Sequence, residues 1–153
     1  MLKVAGFSGS LVASGGEENQ QLIGNAEYQG PEIIMNQGFT QSADVWSFGC
    51  LLYFLVAGRS PFSDSNAMRM NMKIRQGKFE FGEGWSGVSS SLQDLISQLL
   101  RTDSTTRLSA AQILEHSWMK VSLSQIFALL EVSLSQGPCG SAPLAARKFM
   151  SDV

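Results

Sequence analysis

Between Val45 and Ala57 almost every side chain is apolar, with Trp46, Phe48, Cys50, Leu51, Leu52, Tyr53, Phe54, Leu55 and Val56 in an unbroken neighbourhood. A helix that is apolar on all sides must be buried. The run is too short for a membrane span, which needs about 20 residues. The chain therefore has to fold around it as a core helix. Ser42 reads as its N-cap, Asp44 suits the positive end of the helix dipole, and Gly58 is a ready residue for the C-terminal stop. Arg59-Ser60-Pro61-Phe62 breaks it. Cys50, set inside this run, reads as a small buried hydrophobe and not as a reactive thiolate.

Other helices follow from periodicity. Leu92, Leu95, Ile96, Leu99 and Leu100 recur at helical spacing over 92–100, with Ser91 and Asp94 in the order of a capping box. Ser109 and Gln112 form a second capping-box pattern ahead of Ile113 and Leu114. Between 64 and 76, Met68, Met70, Met72 and Ile74 alternate as in a strand, but the residues between them are good helix formers. A helix is expected there, capped by Asp64 or Ser65, with the methionines in the core. Its neighbours Arg69, Lys73, Arg75 and Lys78 leave a protein-docking face as the other reading. A last amphipathic stretch, 120–136, carries Leu123, Phe127, Leu130 and Leu134 on one side and ends at Gly137-Pro138. Residues 137–153 read as a flexible tail, and 8–30, rich in Ser, Gly, Asn and Gln, as a loop.

Composition removes several function classes. Eleven Lys and Arg against thirteen Asp and Glu give a net charge of -2. Nucleic acid and anionic membranes both select a clustered positive excess, so neither is expected as a partner. Two cysteines far apart and a single histidine, His116, cannot supply the roughly four ligands of a structural zinc site. Gly6-Phe7-Ser8-Gly9-Ser10 lacks the final glycine of a nucleophile elbow and is too short for a phosphate-cradling loop. With no long apolar segment near Met1, a soluble cytoplasmic protein is expected.

What remains is an ordered series. Gly24-x-x-x-Tyr28-x-Gly30-Pro31-Glu32 leads to Asp44-Val45-Trp46-Ser47-Phe48-Gly49, then to Gly58-x-x-Pro61-Phe62, Trp85, the 92–100 helix, Arg107 and His116-Ser117-Trp118. Over roughly residues 2–119 the series resembles the C-terminal lobe of a eukaryotic protein kinase, most closely the calcium/calmodulin-dependent group. The fold class this implies is mainly α: a helical bundle preceded by an activation-segment-like loop, with the N-lobe absent. Residues 1–119 would form a partial kinase domain.

The resemblance implies roles residue by residue. Glu32 closes the segment that kinases write Ala-Pro-Glu and would pair with Arg107. Asp44 would accept hydrogen bonds from the catalytic-loop backbone, and Trp46 lies in the helix that forms the pillar of the lobe. Gly24, Asn25 and Tyr28 fall on the shelf beside the substrate acceptor, Asn25 replacing a threonine. Gly6-Phe7-Ser8 stands where the metal-binding Asp-Phe-Gly triplet belongs. Glycine has no carboxylate, so the magnesium that bridges the phosphates would lose an anchor. The Gly-rich loop, the phosphate-binding lysine and the His-Arg-Asp loop would all precede Met1.

No catalytic residue, metal or cofactor is therefore expected for the chain alone; ATP and magnesium enter only with a complete kinase domain. Two functions stay open. One is a catalytically inactive, kinase-derived module that binds or scaffolds proteins. The other is a truncated portion of a serine/threonine kinase that phosphorylates proteins when complete. An unrelated all-α domain is the third reading. Partners are expected to be protein, including a second copy of the chain, because removing the rest of a kinase would expose apolar surface. Calmodulin is not expected, since 120–136 holds Glu131 and no basic cluster.

Overall fold

The computed structural model describes residues 24–38 and 40–120, together with Lys3, Ala5, Phe7 and Ser10. The expected helix over 120–136 and tail over 137–153 lie, past Lys120, outside the described residues. Within the described residues the chain is helical, with no strand: α1 (Pro31–Ile34), α2 (Ser42–Ala57), α3 (Ala67–Gln76), α4 (Ser90–Leu99) and α5 (Ala110–Glu115), with short 3-10 turns at Ala26–Tyr28, Glu83–Trp85 and Ser117–Lys120. The mainly-α expectation holds. None of these helices is long and apolar enough to cross a membrane.

α2 is the axis. It packs against α4 and against the turns at Ala26–Tyr28 and Glu83–Trp85, while α1 meets α3, and α4 and α5 close over Ser117–Lys120. Gly49 permits the tightest approach: a Cβ there would come within 2.9 Å of both Leu99 and Leu100. Around this contact Trp46, Cys50, Val56, Leu92, Leu95, Ile96 and Leu99 are buried. Each such side chain contributes about 1.5–3 kcal/mol by leaving water. Aromatic rings extend the core sideways. Trp46 stacks on Phe62 at 5.2 Å, Phe62 meets Phe79 edge-on at 5.8 Å, and Tyr53 joins Phe79 to Trp85.

The helix ends correct three expectations. α2 begins one residue earlier than a Ser42 cap allows: Gln41 occupies the N-cap position in helical conformation, and the Ser42 hydroxyl bonds to that of Thr40 instead. Asn66, not Asp64 or Ser65, caps α3, its Oδ1 accepting from the backbone N–H of Met68 and Arg69. Ser89, not Ser91, caps α4 through the N–H of Leu92 at 3.3 Å, and Asp94 faces Gln98 and His116. Gln112 does complete the box with Ser109. Gly58 and Gly77 close α2 and α3 in the left-handed conformation.

The methionine stripe is also corrected. Met70 and Ile74 are buried, but Met68 is 74% and Met72 51% exposed. On a helix, residues two apart point to nearly opposite sides, so an alternating pattern splits between core and solvent. Met68 and Met72, four apart, share the outer face.

Candidate functional site

Among the described residues the most tightly built polar site joins three remote segments. Past α4 the backbone turns on Asp103, whose carboxylate accepts from the Thr105 hydroxyl at 2.6 Å and the Thr105 N–H at 2.9 Å. Those bonds hold the Asp103 carboxyl below the usual carboxylate range. Arg101 secures the same loop from outside by donating to the Thr106 carbonyl. The turn sends Arg107 back into the core, where its side chain is wholly buried.

There the guanidinium is almost fully used. Nη1 donates to Glu32 Oε1 at 2.7 Å and Nη2 to Oε2 at 3.0 Å, a fork-on-fork pair. Nη1 also donates to the Ser42 carbonyl at 2.7 Å, and Nε to that of Arg101 at 3.1 Å. The guanidinium lies 5.1 Å from the centre of the Trp46 ring. Arg107 thus binds α1, the start of α2 and the loop after α4 to one another. Cys50 lies close enough to feel this cation, but burial dominates and pushes its thiol up to about 12. Cys50 is free and buried, an apolar filler in practice.

Glu32 sits in the first turn of α1, after Pro31 at a helix start that suits proline. Gly30 makes room for it. A Cβ at Gly30 would stand 2.6–2.7 Å from the two carboxylate oxygens.

The residues expected on the shelf lie just upstream of α1. Asn25 caps the turn Ala26–Tyr28 by accepting from the Glu27 N–H at 3.1 Å, so its amide serves its own backbone. Tyr28 is half-buried against the core, and Gly24 is exposed with a left-handed φ of 97°. Ser47 on α2 donates to the Tyr28 carbonyl at 2.9 Å, and Ser60 reaches the Glu27 carbonyl at 3.4 Å. Neither serine stood out in the sequence. Ser47 did carry a signal, as a hydroxyl inside an otherwise apolar helix, where a buried oxygen needs a partner. Asp44 is exposed beside them, in the first turn of α2. Phe7 is 66% exposed, and Gly6 and Ser8 lie outside the described residues.

The structure therefore brings together Glu32, Arg107 and Trp46, sets Gly24, Asn25 and Tyr28 on the neighbouring turn, and leaves Asp44 facing solvent. A family model described as the protein kinase domain matches residues 1–119. The chain belongs to the protein kinase family. It is 39% identical over 115 residues to a serine/threonine-protein kinase H1 homolog of Danio rerio, covering 74% of this chain and 27% of that protein. It is 39% identical over 120 residues to calcium-dependent protein kinase 22 of Oryza sativa subsp. japonica, covering 78% of this chain and 21% of the relative. The human serine/threonine-protein kinase H1 is 36% identical over 115 residues, again 74% of this chain and 27% of its own length. The chain spans about a quarter of the length of these relatives. It is a portion of a kinase domain, the mainly-α C-terminal lobe, related to serine/threonine kinases.

Proposed function

We propose that this kinase lobe, as the 153-residue chain, binds proteins and does not transfer phosphate. The observation that supports this best is a division within the sequence. The residues that hold the lobe together, Glu32 and Arg107, form a complete buried pair. The position corresponding to the metal-binding aspartate is Gly6, which has no carboxylate to give magnesium. A lobe that keeps its clamp and lacks that anchor retains a folded surface without the means to position a nucleotide. On this reading Gly24, Asn25 and Tyr28 form a shelf that presents protein surface, and Asp44 stands ready for a backbone donor from outside the described residues.

The partner is a protein or a second copy of the chain. Leu51, Phe54 and Leu55 lie on one side of α2 and are 44%, 40% and 46% exposed. That apolar strip favours being covered. Neither magnesium nor ATP is a cofactor of the chain alone, and calmodulin is not its regulator. The free buried thiol of Cys50 fits a reducing compartment, the cytoplasm.

The test is a thermal shift with ATP and magnesium beside a magnesium-only control. A bound nucleotide would raise the midpoint, by about 2.7 kcal/mol of stabilisation at a hundred times its Kd. No ATP-dependent shift is expected; a reproducible one would sink the reading. Coverage of only about a quarter of each relative supports a second reading. In it the chain is part of a longer serine/threonine kinase that phosphorylates proteins with ATP. Transcript sequencing that finds a Gly-rich loop and a His-Arg-Asp motif joined upstream would favour that alternative.

A further inference from the structure

We propose that the cleft between α3 and the segments flanking it is a docking groove for an acidic peptide of a partner protein, one that also carries an apolar side chain. The proposal rests on the protein-binding reading for the class of partner, and adds the place and the chemistry. The cleft, about 390 Å³, is rimmed by Arg59, Arg69, Lys73 and Lys78, with Glu80 as the one carboxylate in its lining. The whole chain has eleven Lys and Arg and a net charge of -2. Four of those cations converging on one cleft make a local positive field in an otherwise acidic chain.

The rim is held in place. Asp64 pairs with Arg69 and Lys73, each at 3.0 Å, and Lys73 also donates to the Ser63 carbonyl at 3.3 Å. Arg59 and Lys78 line the cleft with no carboxylate within ion-pair distance among the described residues. The floor is apolar and rigid. Tyr53 is buried, its ring meets Phe79, and its hydroxyl donates to the Glu80 carbonyl at 2.9 Å, which anchors the far wall. Met72 projects from α3 beside this floor, half exposed, with Met68 one turn away on the same face. Exposed methionines adapt to an incoming apolar group. Cations confined to one cleft, in a chain of negative net charge, fit a short acidic segment better than the long phosphate track of a nucleic acid.

The test uses the full chain and fluorescence anisotropy with a short labelled peptide of Glu and Asp around one Leu. Comparison peptides replace the acids by Lys, or the Leu by Ala. Arg59→Glu and Lys78→Glu should each weaken the acidic peptide about tenfold or more. Arg75→Glu makes the same charge change on α3 outside the lining and should shift binding less than about twofold. Met72→Ser should weaken only the Leu peptide. All four side chains are exposed, so unfolding midpoints should match the parent; if a reversal unfolds the chain, Lys78→Gln replaces it. Equal binding of the Lys peptide, an equal loss with Arg75→Glu, or heparin binding with no preference for Leu would overturn the proposal. These failures leave the ATP test untouched, so the two readings fail separately.

Discussion

Removing Glu32 should unfold this lobe far more readily than removing an ordinary surface carboxylate. In the folded chain the Arg107 side chain is 0% and that of Glu32 8% exposed. Glu32→Ala leaves the guanidinium with the carbonyls of Ser42 and Arg101 and the face of Trp46, and with no counter-charge. Breaking a buried pair from one side costs about 3–5 kcal/mol, because the surviving charge is stranded away from water. Set against a whole-domain stability of about 5–15 kcal/mol, that is roughly a fifth or more of the total. Arg107→Met should cost at least as much, since it strands a carboxylate and also frees two carbonyls.

The double variant Glu32→Leu with Arg107→Met is the discriminating case. It removes both charges, so its loss should be smaller than that of either single variant, not the sum of the two. Urea unfolding followed by tryptophan fluorescence reads this out directly, because Trp46 lies against the pair. Single losses below about 1 kcal/mol, the range of exposed pairs, would refute the reasoning. So would strictly additive losses.

Gly30→Ala restores the alanine that kinases write at this place, yet here its Cβ would press on a carboxylate pinned by Arg107. It should destabilise by about 1–3 kcal/mol in the same urea assay, less than Glu32→Ala. Cys50 should resist alkylation until the chain unfolds, as peptide mapping after iodoacetamide would show. Its thiol is pushed from 9.0 up to about 12 by burial, so its contribution is intact below pH 9 and lost as pH climbs towards 12, where only the unfolded chain ionises readily. The Asn66 N–H, Lys73 and Arg69 hold the Asp64 carboxyl well below the usual carboxylate range. Its stabilisation is therefore present above the unfolded value of about 3.9 and fades as pH falls through the lower folded value, so Asp64→Asn should flatten the acid limb of a pH–stability curve.

Long apolar periodicity was the legible part of this sequence. The 45–57 run and the spacing of Leu92, Leu95, Ile96 and Leu99 specify burial wherever the helices end. The ends were harder, because Ser42, Ser65, Ser89 and Ser91 are all good caps in isolation and tertiary packing chooses among them. Phe79 and Phe81 lie in a segment without regular structure, where no period marks them, yet their rings close the core between Tyr53 and Trp85. Glu32 and Arg107 were placed by their resemblance to a family pattern, and no local rule joins residues 75 apart. The carbonyls of Ser42 and Arg101 that complete the guanidinium's bonds carry no side-chain signal at all.

The two exposed surfaces should respond oppositely to salt. Leu51, Phe54 and Leu55 are about half exposed on α2, and whatever covers them gains roughly half of the 1.5–3 kcal/mol that burial of each apolar side chain supplies. That gain carries no charge, so salt should preserve it, and sulfate should strengthen it. The groove beside α3 works through Arg59 and Lys78, both exposed, at distances where a Debye length of about 10 Å at 0.1 M and 3 Å at 1 M decides the attraction. Raising sodium chloride across that range should release the acidic peptide while light scattering still reports any self-associated species. If instead both fall together, the peptide and the second copy compete for one surface, and the division between an apolar α2 face and a cationic α3 groove is wrong.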